Sequence, residues 1–171
     1  ISPVFYSVLA RSGYFPVDEL NTFRLLNSRL QGHPTTHEGL PGVRVASGSL
    51  GQGISVAIGA ALSKKLNQDN QLVFTLCGDG ELQEGQNGEA IMYAASNQVD
   101  NLIVTVDCNG QQIDGSLDQV LSLGNLCAKF EAFGWLVINI SDGNDLNSVI
   151  SGLKSAREHT GKGKPVCLLM H

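Results

Sequence analysis

The fold is decided by Leu72–Gly115, LVFTLCGDGELQEGQNGEAIMYAASNQVDNLIVTVDCNGQQIDG, in which two apolar runs flank a helical pattern. The first run, Leu72–Cys77, has five apolar residues out of six and predicts a strand that is buried on both faces. The helical pattern covers Glu84–Gln98, and the second run, Leu102–Val106, predicts another strand. A right-handed crossover would make these strands parallel, so that the turns after them lie at the same edge of the sheet.

Oxygen-bearing side chains follow both predicted strands. Asp79 stands in Gly78-Asp79-Gly80, and Asn109 comes thirty positions later. Because an open α/β sheet binds ligands beyond the carboxyl ends of its strands, we expect the two side chains to be neighbours there. Carboxylate and amide oxygens suit Mg²⁺, which leaves coordination positions for phosphate oxygens, and glycines allow the backbone to approach an anion. The residues therefore suggest a metal-bridged diphosphate.

A simpler interpretation exists for the Gly-Asp-Gly turn. An Asp at a strand end also caps the helix that follows, and an Asn-Gly pair forms turns without any ligand. For Gly-Asp-Gly by itself this capping role is the better explanation. The presence of Asn109 at the matching strand end favours the metal site instead.

Size and composition narrow the class of protein. The 171 residues fit one domain, and the net charge of −5, with no cluster of Lys or Arg, argues against nucleic acid or an acidic membrane as partner. Only 16% of the residues are charged, which suggests that part of the surface is covered by a partner. Four cysteines without a C-x-x-C pair indicate reduced thiols in a cytoplasmic protein, and no run is long enough to span a membrane.

The rest of the chain continues an α/β pattern. We expect a three-layer α/β/α fold with a mostly parallel sheet. A long loop, Asn27–Gly42, is of a length that is usually functional or disordered. The helix Ile54–Leu66 is apolar almost all round, so it is either buried on all sides or packed into an interface. The other predicted helices are Val4–Arg11, Pro16–Leu26, 125–133 and Leu146–Glu158, and the other strands are Leu136–Ile140 and Val166–Met170.

Four sequence blocks, in order, resemble transketolase. They are Gly32-His33-Pro34, Gly48-Ser49-Leu50-Gly51-Gln52-Gly53, Gly78-Asp79-Gly80-Glu81-Leu82-Gln83-Glu84-Gly85 and Gln112-Ile113-Asp114-Gly115. The spacing of Asp79 and Asn109 resembles the thiamine diphosphate motif, and the similarity covers Val4–Met170. The resemblance implies the thiamine diphosphate-binding fold. It also implies a single diphosphate-binding domain over 1–171, with further residues upstream.

This resemblance assigns the metal and the diphosphate to the strand ends. Its metal ligands are Asp79, Asn109 and the backbone carbonyl of Gln111, and the ion is Mg²⁺ or Ca²⁺. Gly78 and Gly80 would flank the diphosphate of the cofactor, thiamine diphosphate. The carbonyl of Gln111 comes from the family alone, because no side-chain chemistry selects it.

The resemblance also assigns the cofactor's rings and the catalytic groups. The backbone of Gly48 and Leu50 would contact the aminopyrimidine, and Ile113 would lie against the thiazolium ring, although spacing alone makes Ile113 equally an ordinary core residue. His33 would be catalytic or contact the substrate, whereas a lone loop histidine is usually only solvated. Glu84, as a catalytic residue, and Glu89 would belong to an acidic network at the subunit interface that links two cofactor sites. Otherwise Glu84 is a first-turn Glu that the helix dipole favours, and Glu89 is a solvated residue.

The function implied is that of an N-terminal subunit or fragment of a split transketolase. Such an enzyme transfers a two-carbon ketol unit between sugar phosphates, in the pentose phosphate pathway, and acts as a dimer. The chain lacks the glutamate that activates the aminopyrimidine, so a C-terminal subunit with the pyrimidine-binding domain would be its partner, in a homo- or hetero-oligomer. The alternatives are a component like deoxyxylulose-phosphate synthase or a 2-oxoacid dehydrogenase, and a non-catalytic module that binds cofactor or partner.

Overall fold

The computed structural model describes residues 1–171 and contains two compact units, Ile1–Leu50 and Gly51–His171. The first unit is mostly irregular. It holds one α-helix, α1 (Ser2–Arg11), and a short 3₁₀ helix, Val17–Thr22. The expected second helix is therefore shorter than the sequence pattern indicates, because Phe23 leaves the helical conformation at ψ 122°. The prediction of one domain over 1–171 stays a prediction.

Helix α1 contributes one side of the apolar core of the first unit. Pro3 stands in its first turn, where a missing amide hydrogen is tolerated. One face of the helix packs against residues of the irregular segment that follows. The buried side chains of this core are Tyr6, Leu9, Ala10, Phe15, Leu30, Leu40 and Val43.

The second unit alternates helices and strands. Its helices are α2 (Gln52–Leu66), α3 (Gly85–Ser96), α4 (Leu117–Val120), α5 (Leu126–Ala132) and α6 (Leu146–His159). Its strands are β1 (Val73–Gly78), β2 (Leu102–Asp107), β3 (Gln111–Gln112), β4 (Gly115–Ser116), β5 (Leu136–Ile140) and β6 (Val166–Met170). A 3₁₀ turn, Gly80–Gln83, joins β1 to α3. None of these helices combines the length and the apolar character that a membrane-spanning helix needs.

Four of these strands form one parallel sheet in the order β1-β2-β6-β5. The register pairs Gly78 with Asp107 and Asp107 with Met170, so the carboxyl ends of β1, β2 and β6 meet at one edge. The predicted parallel crossover is confirmed. Strands β3 and β4 form a separate antiparallel hairpin beyond β2, where the sequence pattern indicates only a turn.

Helices cover both faces of the sheet, which confirms the three-layer α/β/α fold. Helices α2, α3 and α5 pack on one face, around a core that includes Val104, Cys77 and Cys167. Helix α6 packs on the other face, around Ile103, Val166 and Leu168. All four cysteines are free thiols, as expected.

Two burial predictions are corrected by the structure. Strand β1 is not buried on both faces, because it has a neighbour on one side only and α6 lies over β5 and β6. Phe74 and Leu76 consequently remain 52% and 54% exposed. Helix α2 is also not buried all round: Ile54 is fully buried, whereas Val56 is 44% exposed. Its packing in an interface stays a prediction.

Candidate metal and cofactor site

Asp79 begins the site at the carboxyl end of β1. It follows the strand directly, and its backbone N–H donates to the carbonyl of Asp107 on β2 at 3.0 Å. The residue is 3% exposed. One carboxylate oxygen, Oδ1, accepts the N–H of Gly80 at 2.9 Å, and the other, Oδ2, accepts the N–H of Gly110 at 2.8 Å. The carboxylate therefore caps the 3₁₀ turn and also links the ends of the two strands.

Asn109 lies in the loop that carries this second link, and Gln111 begins β3 directly after that loop. The amide oxygen of Asn109 accepts the N–H of Gln111 at 2.9 Å, and its Nδ2 donates to a carboxylate oxygen of Asp107 at 2.9 Å. Both bonds are local, and Asn109 is exposed. Since Gly110 binds Asp79 directly, the structure brings the two residues predicted from sequence to one edge of the sheet.

Gly80 is required for the close packing of this edge. A Cβ atom at position 80 would lie 2.9 Å from the Cβ of Gln112 and 3.2 Å from the carbonyl oxygen of Gln111. The backbone after Asp79 thus lies directly against the carbonyl predicted as the third metal ligand. At Gly78, by contrast, a Cβ would have no neighbour within 4 Å, so open space adjoins the turn.

The charge balance of this edge fits a hard divalent cation. Asp79 is a buried carboxylate, and the three ion pairs of the chain use other acids: Glu19, Asp69 and Asp100. Buried carboxylates are normally paired with a cation or bound to a metal. Asp79, Asn109 and Gln111 supply oxygens of the hard type that Mg²⁺ binds, and three such oxygens would leave coordination positions for phosphate and water. Their role as metal ligands stays a prediction. A cleft of about 470 Å³ beside Asp79 is lined also by Cys108 and His171.

The predicted thiazolium contact, Ile113, is at the tip of the β3–β4 hairpin. Its side chain is 95% exposed, which excludes the alternative that it is an ordinary core residue. An isolated exposed Ile is common on protein surfaces. Its contact with the cofactor therefore stays a prediction.

The acidic residues of the Gly-Asp-Gly-Glu-Leu-Gln-Glu-Gly block have different surroundings. Glu84 precedes α3 as its N-cap, with no capping bond from its side chain, and both Glu84 and Glu89 are exposed. Glu81, which no sequence pattern singled out, is half-buried, and its Oε1 accepts the N–H of Gly51 at 2.8 Å. Gly51 begins α2 in the left-handed conformation, with φ +85°. A carboxylate at a helix N-terminus is favourable, because it lies at the positive end of the helix dipole.

Asn87 is a second polar residue that sequence reasoning missed. It is 1% exposed on α3, and its Nδ2 donates to the carbonyl of Glu81 at 2.6 Å. Its Oδ1 has no hydrogen-bond partner. Glu81 and Asn87 together fix the turn between β1 and α3, which carries Asp79 at its start.

Thiols lie beneath this edge, in the core under α2, α3 and α5. Burial raises the pKa of the Cys77 thiol to about 12 and that of the Cys108 thiol to about 11. Burial also raises the pKa of Cys167 well above its ordinary value. These thiols therefore stay protonated and poorly nucleophilic at neutral pH.

The other predicted site residues belong to the first unit. His33 is exposed, and Gly48 lies against it, since a Cβ at position 48 would be 2.9 Å from both Cβ and Cγ of His33. Leu50 is 48% exposed. The structure thus brings His33 and Gly48 together, and their roles toward substrate and cofactor stay predictions.

The second unit has a parallel sheet, a buried acid and a hairpin at the carboxyl ends of its strands. These features place it in the class of α/β domains that bind ligands at that edge of the sheet. Comparison with known families identifies the member of that class. The family model described as "Transketolase, thiamine diphosphate binding domain" matches residues 1–170. The chain therefore belongs to the transketolase family, as its thiamine diphosphate-binding domain.

Several known relatives are similar over most of this chain. It is 40% identical to one subunit of the apulose-4-phosphate transketolase of Actinobacillus succinogenes, over 94% of this chain and 56% of that protein. It is 37% identical to a 6-deoxy-6-sulfo-D-fructose transketolase subunit of a Clostridium species, over 99% of this chain and 60% of that protein. Against the transketolase of Staphylococcus epidermidis the identity is 37%, over 94% of this chain and 25% of that protein. The chain thus spans a quarter to three fifths of these relatives.

Solved transketolase structures share the fold. The chain superposes on the enzyme of Pichia stipitis with a TM-score of 0.88 at 31% identity, covering 98% of this chain and 26% of that one. For the enzyme of Campylobacter jejuni the TM-score is 0.85 at 34% identity, with the same coverages.

Proposed function

We propose that this chain is the N-terminal part of a split transketolase that transfers a two-carbon ketol unit between sugar phosphates in the cytoplasm. The observation that carries the proposal is the buried carboxylate of Asp79, which pairs with no cationic side chain and is linked through Gly110 to the loop of Asn109. Two relatives of the chain are named as subunits of transketolases for apulose-4-phosphate and for 6-deoxy-6-sulfo-D-fructose. A sugar with an anionic group is therefore the expected substrate class.

Asp79, Asn109 and the carbonyl of Gln111 would hold Mg²⁺, or Ca²⁺, against the diphosphate of thiamine diphosphate. The cofactor, when bound, supplies the nucleophilic carbon that carries the ketol unit. Gly78 and Gly80 would flank the diphosphate: the space beside Gly78 is open, whereas Gly80 lets the turn pack against the hairpin that carries Gln111. Ile113 offers an apolar surface to a ring. The chain's own task at this edge is to bind and orient the cofactor.

His33, Gly48 and Leu50 provide the predicted substrate and aminopyrimidine contacts. Because Gly48 packs against the side chain of His33, the imidazole is held in place by backbone. An imidazole so placed can donate a hydrogen bond to the oxygen of the transferred unit, or move a proton to it. Glu84, exposed at the start of α3, is free to take part in an acidic network with a partner subunit.

The partner would be a C-terminal subunit with the pyrimidine-binding domain, in a homo- or hetero-oligomer. Two features support a partner that covers part of the surface. Few residues of the chain are charged, and the apolar side chains of Val56, Phe74 and Leu76 are exposed. The chain spans 56% and 60% of the two relatives that are named as transketolase subunits, and we expect turnover only when a second chain is present.

Reconstitution tests the proposal. The chain is mixed with the product of a candidate neighbouring gene, Mg²⁺ and thiamine diphosphate, and ketol transfer from a ketose phosphate to an aldose phosphate is followed. We expect activity in the mixture and none with either chain alone. Cofactor binding without transfer in any mixture would instead indicate a non-catalytic module.

A further inference from the structure

Glu81 connects two parts of the second unit that are 30 positions apart in the sequence. Its Oε1 accepts the N–H of Gly51, the N-cap residue of α2, at 2.8 Å. The carboxylate is half-buried and belongs to none of the ion pairs of the chain. A hydrogen bond to a charged acceptor is stronger than one between neutral groups. The start of α2 is therefore held by the turn that follows Asp79.

The backbone of Glu81 is fixed as well as its side chain. The residue lies in the 3₁₀ turn Gly80–Gln83, of which Asp79 is the N-cap. Its carbonyl accepts the N–H of Glu84 at 3.1 Å and the Nδ2 of Asn87 at 2.6 Å. Because the turn is short and its far end is bonded to α3, a shift of Asp79 changes the position of the Glu81 carboxylate.

The start of α2 also packs directly on the segment that begins α3. Gly51 is left-handed, with φ +85°, and a Cβ there would lie 2.8 Å from the Cβ of Glu84. A Cβ at Gly53 would be 3.9 Å from Oε1 of Glu81. Position 51 thus requires glycine both for its backbone conformation and for space. The hydrogen bond from Gly51 to Glu81 is the direct link between the two closely packed segments.

We propose that Glu81 is a positioning residue, which makes the start of α2 respond when Mg²⁺ and a diphosphate bind at Asp79. The proposal rests on the metal site of the proposed function, but not on ketol transfer. A cation at Asp79 attracts the carboxylate of Glu81, two residues further along the turn, and the N–H of Gly51 follows that carboxylate. In the sequence Gly51 directly follows Leu50, a predicted contact of the aminopyrimidine. Binding of the diphosphate thereby prepares the protein for the rest of the cofactor.

The first experiment uses the chain alone, with Mg²⁺ and inorganic diphosphate as the probe. The amide signals of a ¹⁵N-labelled sample are followed, because those of Gly80 and Gly110 report on the Asp79 carboxylate. The signal of Gly51 reports on Glu81. In the parent we expect the three signals to shift along one saturating curve. In Glu81→Ala the signal of Gly51 should cease to respond, while those of Gly80 and Gly110 still do.

Two further variants test whether the link is specific. Glu81→Gln keeps an oxygen that accepts the N–H of Gly51 and should recover part of the response. Glu131→Ala removes an exposed acid of α5 and should leave all three signals as in the parent. A response of Gly51 that persists in Glu81→Ala would overturn the proposal, and so would a parent in which only Gly80 and Gly110 respond. If none of the three signals responds in the parent, the proposed metal site is wrong, and this proposal fails with it.

The second experiment separates positioning from a general loss of structure. With Mg²⁺ present, calorimetry measures the affinity of each variant for inorganic diphosphate and for thiamine diphosphate. Glu81→Ala should bind inorganic diphosphate as the parent does and thiamine diphosphate about tenfold more weakly, because only thiamine diphosphate has an aminopyrimidine to contact Leu50. Glu81→Gln should lie between the parent and Glu81→Ala. An equal loss of affinity for both ligands would indicate a structural role alone, and an unchanged affinity for thiamine diphosphate would contradict the proposal.

Discussion

The ligand edge of the second unit and the cleft of the first unit hold their polar groups by different means. At the ligand edge, Asp79 is bound by backbone groups at each end: its N–H to Asp107, and its carboxylate to Gly80 and Gly110. The segment around His33 has no such ladder. It is bound to α1 by single side chains, among them Tyr6, whose hydroxyl donates to the carbonyl of Gln31 at 2.9 Å.

This difference indicates that the second unit holds its binding residues in place before a ligand is bound, and that the first unit does so less firmly. Parallel strands place their ends within one hydrogen bond of each other, so the edge is preorganised. The segment of the first unit depends on individual contacts and on left-handed residues such as Arg24 and Asn27. Substitutions at the edge should therefore abolish binding, and substitutions in the first unit should alter rates and affinities by smaller factors.

The largest effect is expected for Asp79→Ala. The variant loses the one acid of the proposed metal site, so Mg²⁺-dependent binding of thiamine diphosphate should fall below detection in calorimetry. It also leaves the N–H groups of Gly80 and Gly110 without their acceptor, which should lower the free energy of unfolding by about 2 kcal/mol. Asp114→Ala removes an exposed acid of the adjoining hairpin and should bind normally. Equal affinity in the two variants would refute the metal assignment.

Sequence predicted the ligand edge well for a physical reason. Apolar runs and a crossover specify parallel strands, and parallel strands specify which residues meet, so Asp79 and Asn109 could be paired across thirty positions. Burial of β1 was overestimated because a run of apolar residues does not reveal whether a strand is at an edge of the sheet. The helix expected up to Leu26 was overestimated because turns depend on single backbone angles, which apolar spacing does not encode.

The roles of Glu81 and Asn87 were also beyond the reach of spacing. Glu81 binds the N–H of Gly51, thirty positions upstream, and Asn87 binds the carbonyl of Glu81. Neither partner belongs to a periodic pattern, so only the three-dimensional arrangement shows the contacts.

Gly80→Ala tests whether tight packing at the edge matters for the ligand. The new Cβ would collide with Gln112 and press on the carbonyl of Gln111, so cofactor affinity should fall about tenfold or more. Gly85→Ala is the matched variant, because a Cβ there meets nothing within 4 Å. Calorimetry on both variants compares them. If Gly85→Ala lost as much cofactor affinity as Gly80→Ala, the contact between Gly80 and the hairpin would not be the cause of the loss.

A smaller effect is expected in the first unit, for Gly48→Ala. The added methyl group displaces the side chain of His33, which it would approach to 2.9 Å. Turnover of the reconstituted enzyme should fall several-fold, because the imidazole of His33 is then misplaced. Binding of Mg²⁺ and of the diphosphate at the second unit should persist. Steady-state kinetics and calorimetry on one preparation separate the two quantities. If turnover and the binding of Mg²⁺ and diphosphate were lost together, the effect of Gly48→Ala would not be confined to His33.

The smallest effect concerns the thiol layer below the ligand edge. Burial raises the pKa of Cys77 from 9.0 to about 12, so the folded protein keeps a proton that the unfolded chain releases above pH 9. The stabilisation from the protonated thiol is therefore complete below pH 9 and is lost as the pH rises toward 12. Between about pH 8 and pH 10, the free energy of unfolding should fall by about 1 kcal/mol less in Cys77→Ala than in the parent. The reason is that the variant has no thiol at this position to release a proton on unfolding. Urea unfolding with reductant present measures it, and identical falls would contradict the assigned cause.

The central claim is that Asp79 and Asn109, from two neighbouring strand ends, hold one cation together. Crystals grown with Mn²⁺ and thiamine diphosphate allow the ion to be located by its anomalous scattering. The account predicts one peak within about 2.0–2.4 Å of a carboxylate oxygen of Asp79, the amide oxygen of Asn109 and the carbonyl oxygen of Gln111. A bound cofactor whose metal peak lies away from Asp79 would contradict it.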